Sequence, residues 1–148
     1  MHKNLILLTH KFPDNKSEVF LWNELEYMNY DKVYIISMTK SDYVYIPDNS
    51  KFLTYSCGNT LKFPKGILWV ILSLIRKEFW IELLKLISLK KLNLESFLNL
   101  IKTTAYGERL FYNAKGFIPF KNKNEKFIIY SYWLTSTAYA AIRLKNKY

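Results

Sequence analysis

Short apolar runs alternate with amphipathic stretches along this chain, which predicts strands separated by helices. The run at 5–8, Leu-Ile-Leu-Leu, is continuous, the pattern of a strand covered on both faces of a parallel sheet. Val33, Tyr34, Ile35, Ile36 and Ser37 form a second run of this kind after Asp31-Lys32. Between them, residues 17–29 place Leu21, Leu25 and Met28 along one helical stripe. The first unit therefore reads as β-α-β, for which a right-handed crossover is expected.

Residues 51–56 suit a third strand, preceded by the turn chemistry of Ile46-Pro47-Asp48-Asn49. Residues 62–66 read as a loop around Pro64, and a helix is expected from Ile67 to Lys90-Lys91. Its uninterrupted apolar part, 66–75, is about half the roughly 20 residues that cross a bilayer, so no membrane span is expected. Two readings stand for this helix. It is buried between the sheet and a neighbour, or it is amphipathic and lies in a membrane surface with Trp69, Phe79 and Trp80 at headgroup depth.

Asn93 suits the N-cap of a further helix striped by Phe97, Leu98, Ile101 and Ala105. Gly107 inside it costs roughly 1 kcal/mol relative to alanine and invites a kink or break. That helix should fade at 116–119, before a charged loop at 121–126. Residues 127–131 read as a strand, and Thr135 or Ser136 should cap a last helix through Lys147, carrying Ala138, Ala141, Ile142 and Lys145. The expected fold is α/β, a Rossmann-like, mostly parallel sheet flanked by helices, in one domain spanning 1–148.

Composition narrows the chemistry. The chain has 148 residues, enough for one core, and 50% hydrophobic residues is ordinary. A net charge of +10 implies an anionic partner: nucleic acid, acidic lipid headgroups or a phosphate-bearing metabolite. Biased codon usage is the competing source of the lysine excess, and would scatter it over the surface. Nucleic acid is disfavoured, since only 121–126 clusters lysines. Cys57 is the sole cysteine and reads as a strand residue, which excludes an intrachain disulfide. An apolar run ending at Leu8 is short for a signal peptide. The expected location is cytoplasmic, peripheral at the inner face of the plasma membrane if the helix at 67–91 docks there.

The loop at 9–18 follows the first strand and 131–135 follows the last, so both belong at strand carboxyl ends, where open α/β sheets bind ligands. The first loop lacks the spaced glycines of a dinucleotide site and the G-x-x-x-x-G-K of a P-loop. Helix starts at Ser17 and Thr135 can receive a phosphate or a polarised hydroxyl, with Lys11 and Lys16 adding charge. Glu18 is either a first-turn carboxylate or an acceptor for sugar hydroxyls. Tyr132 and Trp133 either pack in the core or offer flat faces to a sugar ring. His10 is a base, a donor or a structural residue. No zinc-ligand spacing, H-E-x-x-H, G-x-S-x-G or paired aspartates occur, so no metal is expected.

The stretch Leu-Leu-Thr-His-Lys-Phe-Pro at 7–13, continuing through Ser17, Glu18, Val19 and Phe20, and Tyr-Ser-Tyr-Trp-Leu-Thr at 130–135, carry a resemblance. The chain resembles the N-terminal domain of bacterial glycosyltransferases of the family 4 type, with the GT-B fold, enzymes of capsule, exopolysaccharide and lipopolysaccharide assembly. The resemblance implies retaining transfer of a sugar from a nucleotide-diphosphate donor to a growing, often lipid-linked, glycan. It places Phe12, Pro13, Ser17 and Glu18 on an interdomain cleft and Tyr132 and Trp133 near the acceptor. Trp69, Arg76, Lys77, Trp80, Lys85, Lys90 and Lys91 would dock on an anionic membrane, each nearby cation contributing about 1 kcal/mol. Family members continue into a donor-binding domain, so this chain is expected to be an N-terminal fragment, inactive alone and without a cofactor. The alternative is a noncatalytic membrane-surface or partner-binding α/β module.

Overall fold

The computed structural model describes residues 2–12, 20–40, 51–58, 65–119, 125–132 and 135–148. Along the chain these form β1 (His2–Thr9), α1 (Phe20–Tyr27), β2 (Lys32–Ser37), β3 (Phe52–Ser56), α2 (Lys65–Leu74), α3 (Lys77–Ser88), α4 (Leu94–Phe117), β4 (Glu125–Ser131) and α5 (Ser136–Lys145). Among the described residues the sheet has four strands in the order β3-β2-β1-β4, every neighbouring pair parallel. The expected Rossmann-like α/β architecture is therefore present. After β3 the chain crosses back over β2 and β1 to add β4 at the opposite edge, so the winding direction reverses between β1 and β4.

Alternation along the strands explains the two faces. Leu5, Leu7, Val33 and Ile35 point to one side, where Phe12, Phe52 and the α1 residues Leu21 and Leu25 complete a core. Ile6, Leu8, Tyr34 and Ile36 point to the other, against Leu110, Phe111 and Ala114 of α4 and Ala140 and Leu144 of α5. Both faces of the two central strands are thus covered, which is why their sequences are apolar without a break.

The helix expected over 67–91 is two helices. Lys65 and Gly66 already belong to α2, and the chain breaks at Ile75 and Arg76, where Arg76 has extended backbone. The break drops the Arg76 side chain onto α4: its Nε lies 3.6 Å from Glu108 Oε1 and its Nη2 donates to the Tyr112 hydroxyl at 3.1 Å. At the far end of α3 the amides of Lys90 and Lys91 donate to the Ile87 and Leu86 carbonyls, with Lys90 at φ 55. This is a Schellman closure with lysine in the left-handed position usually held by glycine. Asn93 caps α4 as expected: its Oδ1 accepts from Ser96 N at 2.7 Å, and its own amide donates to Ser96 Oγ at 2.9 Å.

The expected kink at Gly107 is absent, and α4 runs unbroken for 24 residues. Close helix packing explains the glycine. A Cβ there would lie 2.5 Å from Tyr139 Cδ1 and 3.0 Å from the Ser136 carbonyl oxygen, both on α5. Gly107→Ala is therefore expected to be destabilising: overpacking costs about 1–3 kcal/mol, against a gain of roughly 1 kcal/mol in helix propensity. Gly116, with nothing within 4 Å of its Cβ position, is the matched control and should gain stability as alanine. Urea unfolding of the two variants measures both signs, and a more stable G107A would refute the packing argument.

Candidate functional site

The reversal between β1 and β4 brings the first residues of the two loops singled out by sequence side by side on one rim. Leu8 pairs with Ser131 in register, and the Tyr132 amide donates to the Leu8 carbonyl at 3.1 Å, so the chain leaves both strands side by side. The loop after β1 is tied down locally. The Thr9 hydroxyl donates to the Phe12 carbonyl at 3.3 Å, and the His10 carbonyl accepts from both the amide and the hydroxyl of Thr39. At the start of α5, the Ser131 hydroxyl donates to Thr137 Oγ1 at 2.9 Å.

The side chains divide differently from the sequence expectation. His10 is exposed on this rim. Phe12 is fully buried and fills the α1 side of the core, so it supports the rim from beneath. Tyr132 is half-buried, packed on that core with its ring 5.0 Å from Phe20. Thr135 is exposed at the head of α5 and makes no side-chain capping bond. Pro13, Lys16, Ser17, Glu18 and Trp133 lie outside the described residues.

A cleft of about 390 Å³ extends from Thr135 between α3, α4 and α5. Its walls combine Leu86, Leu100 and Ile142 with Glu82, Ser96, Asn99, Thr103 and Thr104. Ser96 and Thr104 spend their hydroxyls on the helix backbone, and Glu82 pairs with Lys85 at 2.7 Å. Asn99, Thr103 and Thr135 remain as the hydrogen-bonding groups that a hydroxylated ligand would meet. Sequence reading missed Asn99 and Thr103 because single polar residues on a helix carry no spacing signal.

Behind this cleft lies a buried ionic cluster. Glu108 is fully buried, yet its Oε1 takes the Tyr139 hydroxyl at 2.9 Å and lies 3.0 Å from Arg143 Nε. Arg143 also reaches Glu78 at 3.8 Å. Burial, and then the neighbouring Glu108 carboxylate, drive the Tyr139 pKa well above the usual phenol range, so Tyr139 stays a donor to Glu108. Glu108 continues the stripe of Ile101 and Ala105, and a carboxylate in an apolar stripe was the available signal. Cys57, half-buried after β3, has its thiol pushed up to about 12 by burial, partly opposed by Arg109, and is no nucleophile at neutral pH.

The proposed docking residues also divide. Trp69 packs on Tyr112 with ring centroids 5.6 Å apart, Phe79 is buried, and Arg76 is engaged by Glu108, so these three face the protein. Trp80, Lys77, Lys85, Lys90 and Lys91 are exposed, beside an outward stripe of Ile67, Leu68, Ile71, Ile81, Leu84 and Ile87. No helix among the described residues is long and apolar enough to cross a membrane, and no group of three or more acidic, histidine or cysteine residues there could hold a metal ion. No family model matches the chain, and neither the curated proteins nor the solved structures yield a match.

Proposed function

We propose that the chain is the acceptor-binding half of a retaining glycosyltransferase that extends a lipid-linked or cell-surface glycan. The observation that carries this reading is the cleft at Thr135, where Leu86, Leu100 and Ile142 line the walls together with the amide of Asn99 and the hydroxyls of Thr103 and Thr135, beside the head of the helix that follows β4. Sugars present apolar ring faces and outward hydroxyls, and this lining matches both. In this reading the donor chemistry is supplied by a second domain that binds the nucleotide-diphosphate sugar.

The outward stripe of α2 and α3 supports membrane docking in the same protein. Exposed apolar residues gathered on a helix face mark an interaction face in proteins that work in water. On α3 they include Trp80, 52% exposed, Leu84 and Ile87 at successive turns, and the exposed Lys77, Lys90 and Lys91, with Lys85 beside Glu82, give the composition of an interfacial helix on an anionic bilayer. This stripe is also the observation that favours the second reading, a noncatalytic membrane-surface module.

Sugar transfer from a panel of nucleotide-diphosphate sugars to lipid-linked acceptors, by the protein carrying both domains, separates the two. Transfer is expected, with Asn99→Ala plus Thr103→Ala raising the acceptor KM at least about tenfold through lost hydrogen bonds. Absence of transfer from every donor would overturn the enzymatic reading. Cosedimentation with anionic vesicles should fall for Leu84→Glu plus Ile87→Glu, and equal binding of the variant would remove the docking claim.

A further inference from the structure

A second cleft, of about 260 Å³, opens between the α2–α3 junction, α4 and the end of α5. α5 leaves the carboxyl end of β4 and runs back along the sheet, so this cleft lies toward the amino ends of the strands, away from the rim described above. Its lining is cationic: Arg76, Lys115, Arg143 and Lys147 converge on it together with Tyr112 and Asn146.

Such a grouping is costly unless something compensates it. Glu108 and Glu78 offset two of the four positive charges from behind, through Arg76 and Arg143. Lys115 and Lys147 have no carboxylate partner among the described residues. Lys115 stands close enough to Lys147 to lower its pKa, by hydrogen bonding and like charge, with Arg143 and Arg76 adding to the effect. Two positive charges are thus left over, facing open space.

The two arginines are held in place. Arg143 stacks on Phe111 with its guanidinium carbon 4.8 Å from the ring centre, and Arg76 donates to the Tyr112 hydroxyl. The guanidinium N–H groups not directed at Glu108, Glu78 and Tyr112 are donors of fixed position, the exposed Lys115 and Lys147 add point charges, and the Asn146 amide adds a neutral donor. Fixed arginines, exposed lysines and a surplus of two charges suit a tetrahedral dianion.

We propose that Arg76, Tyr112, Lys115, Arg143, Asn146 and Lys147 form a binding site for a phosphate or diphosphate group, distinct from the cleft at Thr135. The volume accommodates the group and the first atoms of its carrier, which is either a soluble phosphometabolite or a lipid headgroup. The site stands whether or not the chain serves sugar transfer, because none of its residues lines the other cleft.

Pyrophosphate titrated at constant ionic strength, read by calorimetry and by the thermal midpoint, tests the proposal. Saturable binding is expected. Lys115→Met plus Lys147→Met should weaken it about tenfold or more without lowering the unliganded midpoint, since both side chains are exposed and their mutual repulsion is removed. Lys102→Met, which removes one positive charge elsewhere on α4, should bind as the parent does. Vesicles containing phosphatidic acid identify the carrier: capture that pyrophosphate reverses points to a lipid headgroup, and pyrophosphate binding without capture points to a soluble ligand. No saturable binding, or equal binding by the double-lysine variant, would overturn the site.

Discussion

Glu108→Ala is expected to cost about 3–5 kcal/mol of stability, the range for breaking a buried ion pair by removing one partner. For a domain of this size that corresponds to a midpoint lower by roughly 2–4 °C per kcal/mol. The carboxylate is fully buried, and its one engaged oxygen serves the Tyr139 hydroxyl, Arg143 and Arg76 together. Removing it takes the shared carboxylate from the largely buried Arg143, which keeps only Glu78 nearby, and from the partly exposed Arg76, and it orphans the Tyr139 donor. Replacing both sides, as in E108L/R143M, should be milder than E108L alone, because the second change removes the charge the first one strands. Denaturant unfolding followed by circular dichroism measures all three. A cost below about 1 kcal/mol for Glu108→Ala would mean that the cluster is solvated and carries little of the fold. The cluster also fixes Arg76 and Arg143 for the cationic cleft, so its loss should weaken pyrophosphate binding too.

Phe12→Ala is expected to cost about 3–5 kcal/mol, as for other fully buried phenylalanines cut back to the β-carbon. The ring belongs to the buried cluster of Leu5, Leu7, Leu21, Leu25, Val33, Ile35 and Phe52, which joins β1, β2, β3 and α1. Phe12→Leu keeps most of the volume and should lose less than about 1.5 kcal/mol. A phenylalanine lining an open cleft behaves otherwise: its truncation stays within about 0.5 kcal/mol and the loss appears in ligand affinity. Urea unfolding therefore decides whether Phe12 is a wall of the site or its foundation. A small change for Phe12→Ala would return it to the cleft.

That residue also marks where local reading stops. A Phe-Pro pair after a strand looks the same whether its ring turns up to a ligand or down onto the sheet, and the choice depends on α1 packing beside it. The helix expected at 67–91 failed for a related reason. Its apolar run continues through Ile75, and the break at Arg76 goes with that side chain's contacts to Glu108 and Tyr112, the latter 36 positions away. Gly107 was read as a weak point by propensity, whereas the approach of Tyr139 and Ser136 on α5 makes it a point of contact.

By itself the amino-acid sequence determined the alternation of strands and helices, the parallel sheet and the cap at Asn93. These follow from periodicity and from groups a few residues apart, which physical chemistry reads locally. Only the tertiary structure decided that Phe12 is core, that Glu108 holds two arginines, that a cleft at Thr135 carries Asn99 and Thr103, and that four cations meet at the other end of the sheet. Each of these joins residues tens of positions apart, and their distances depend on how helices cross, a quantity that no local pattern encodes.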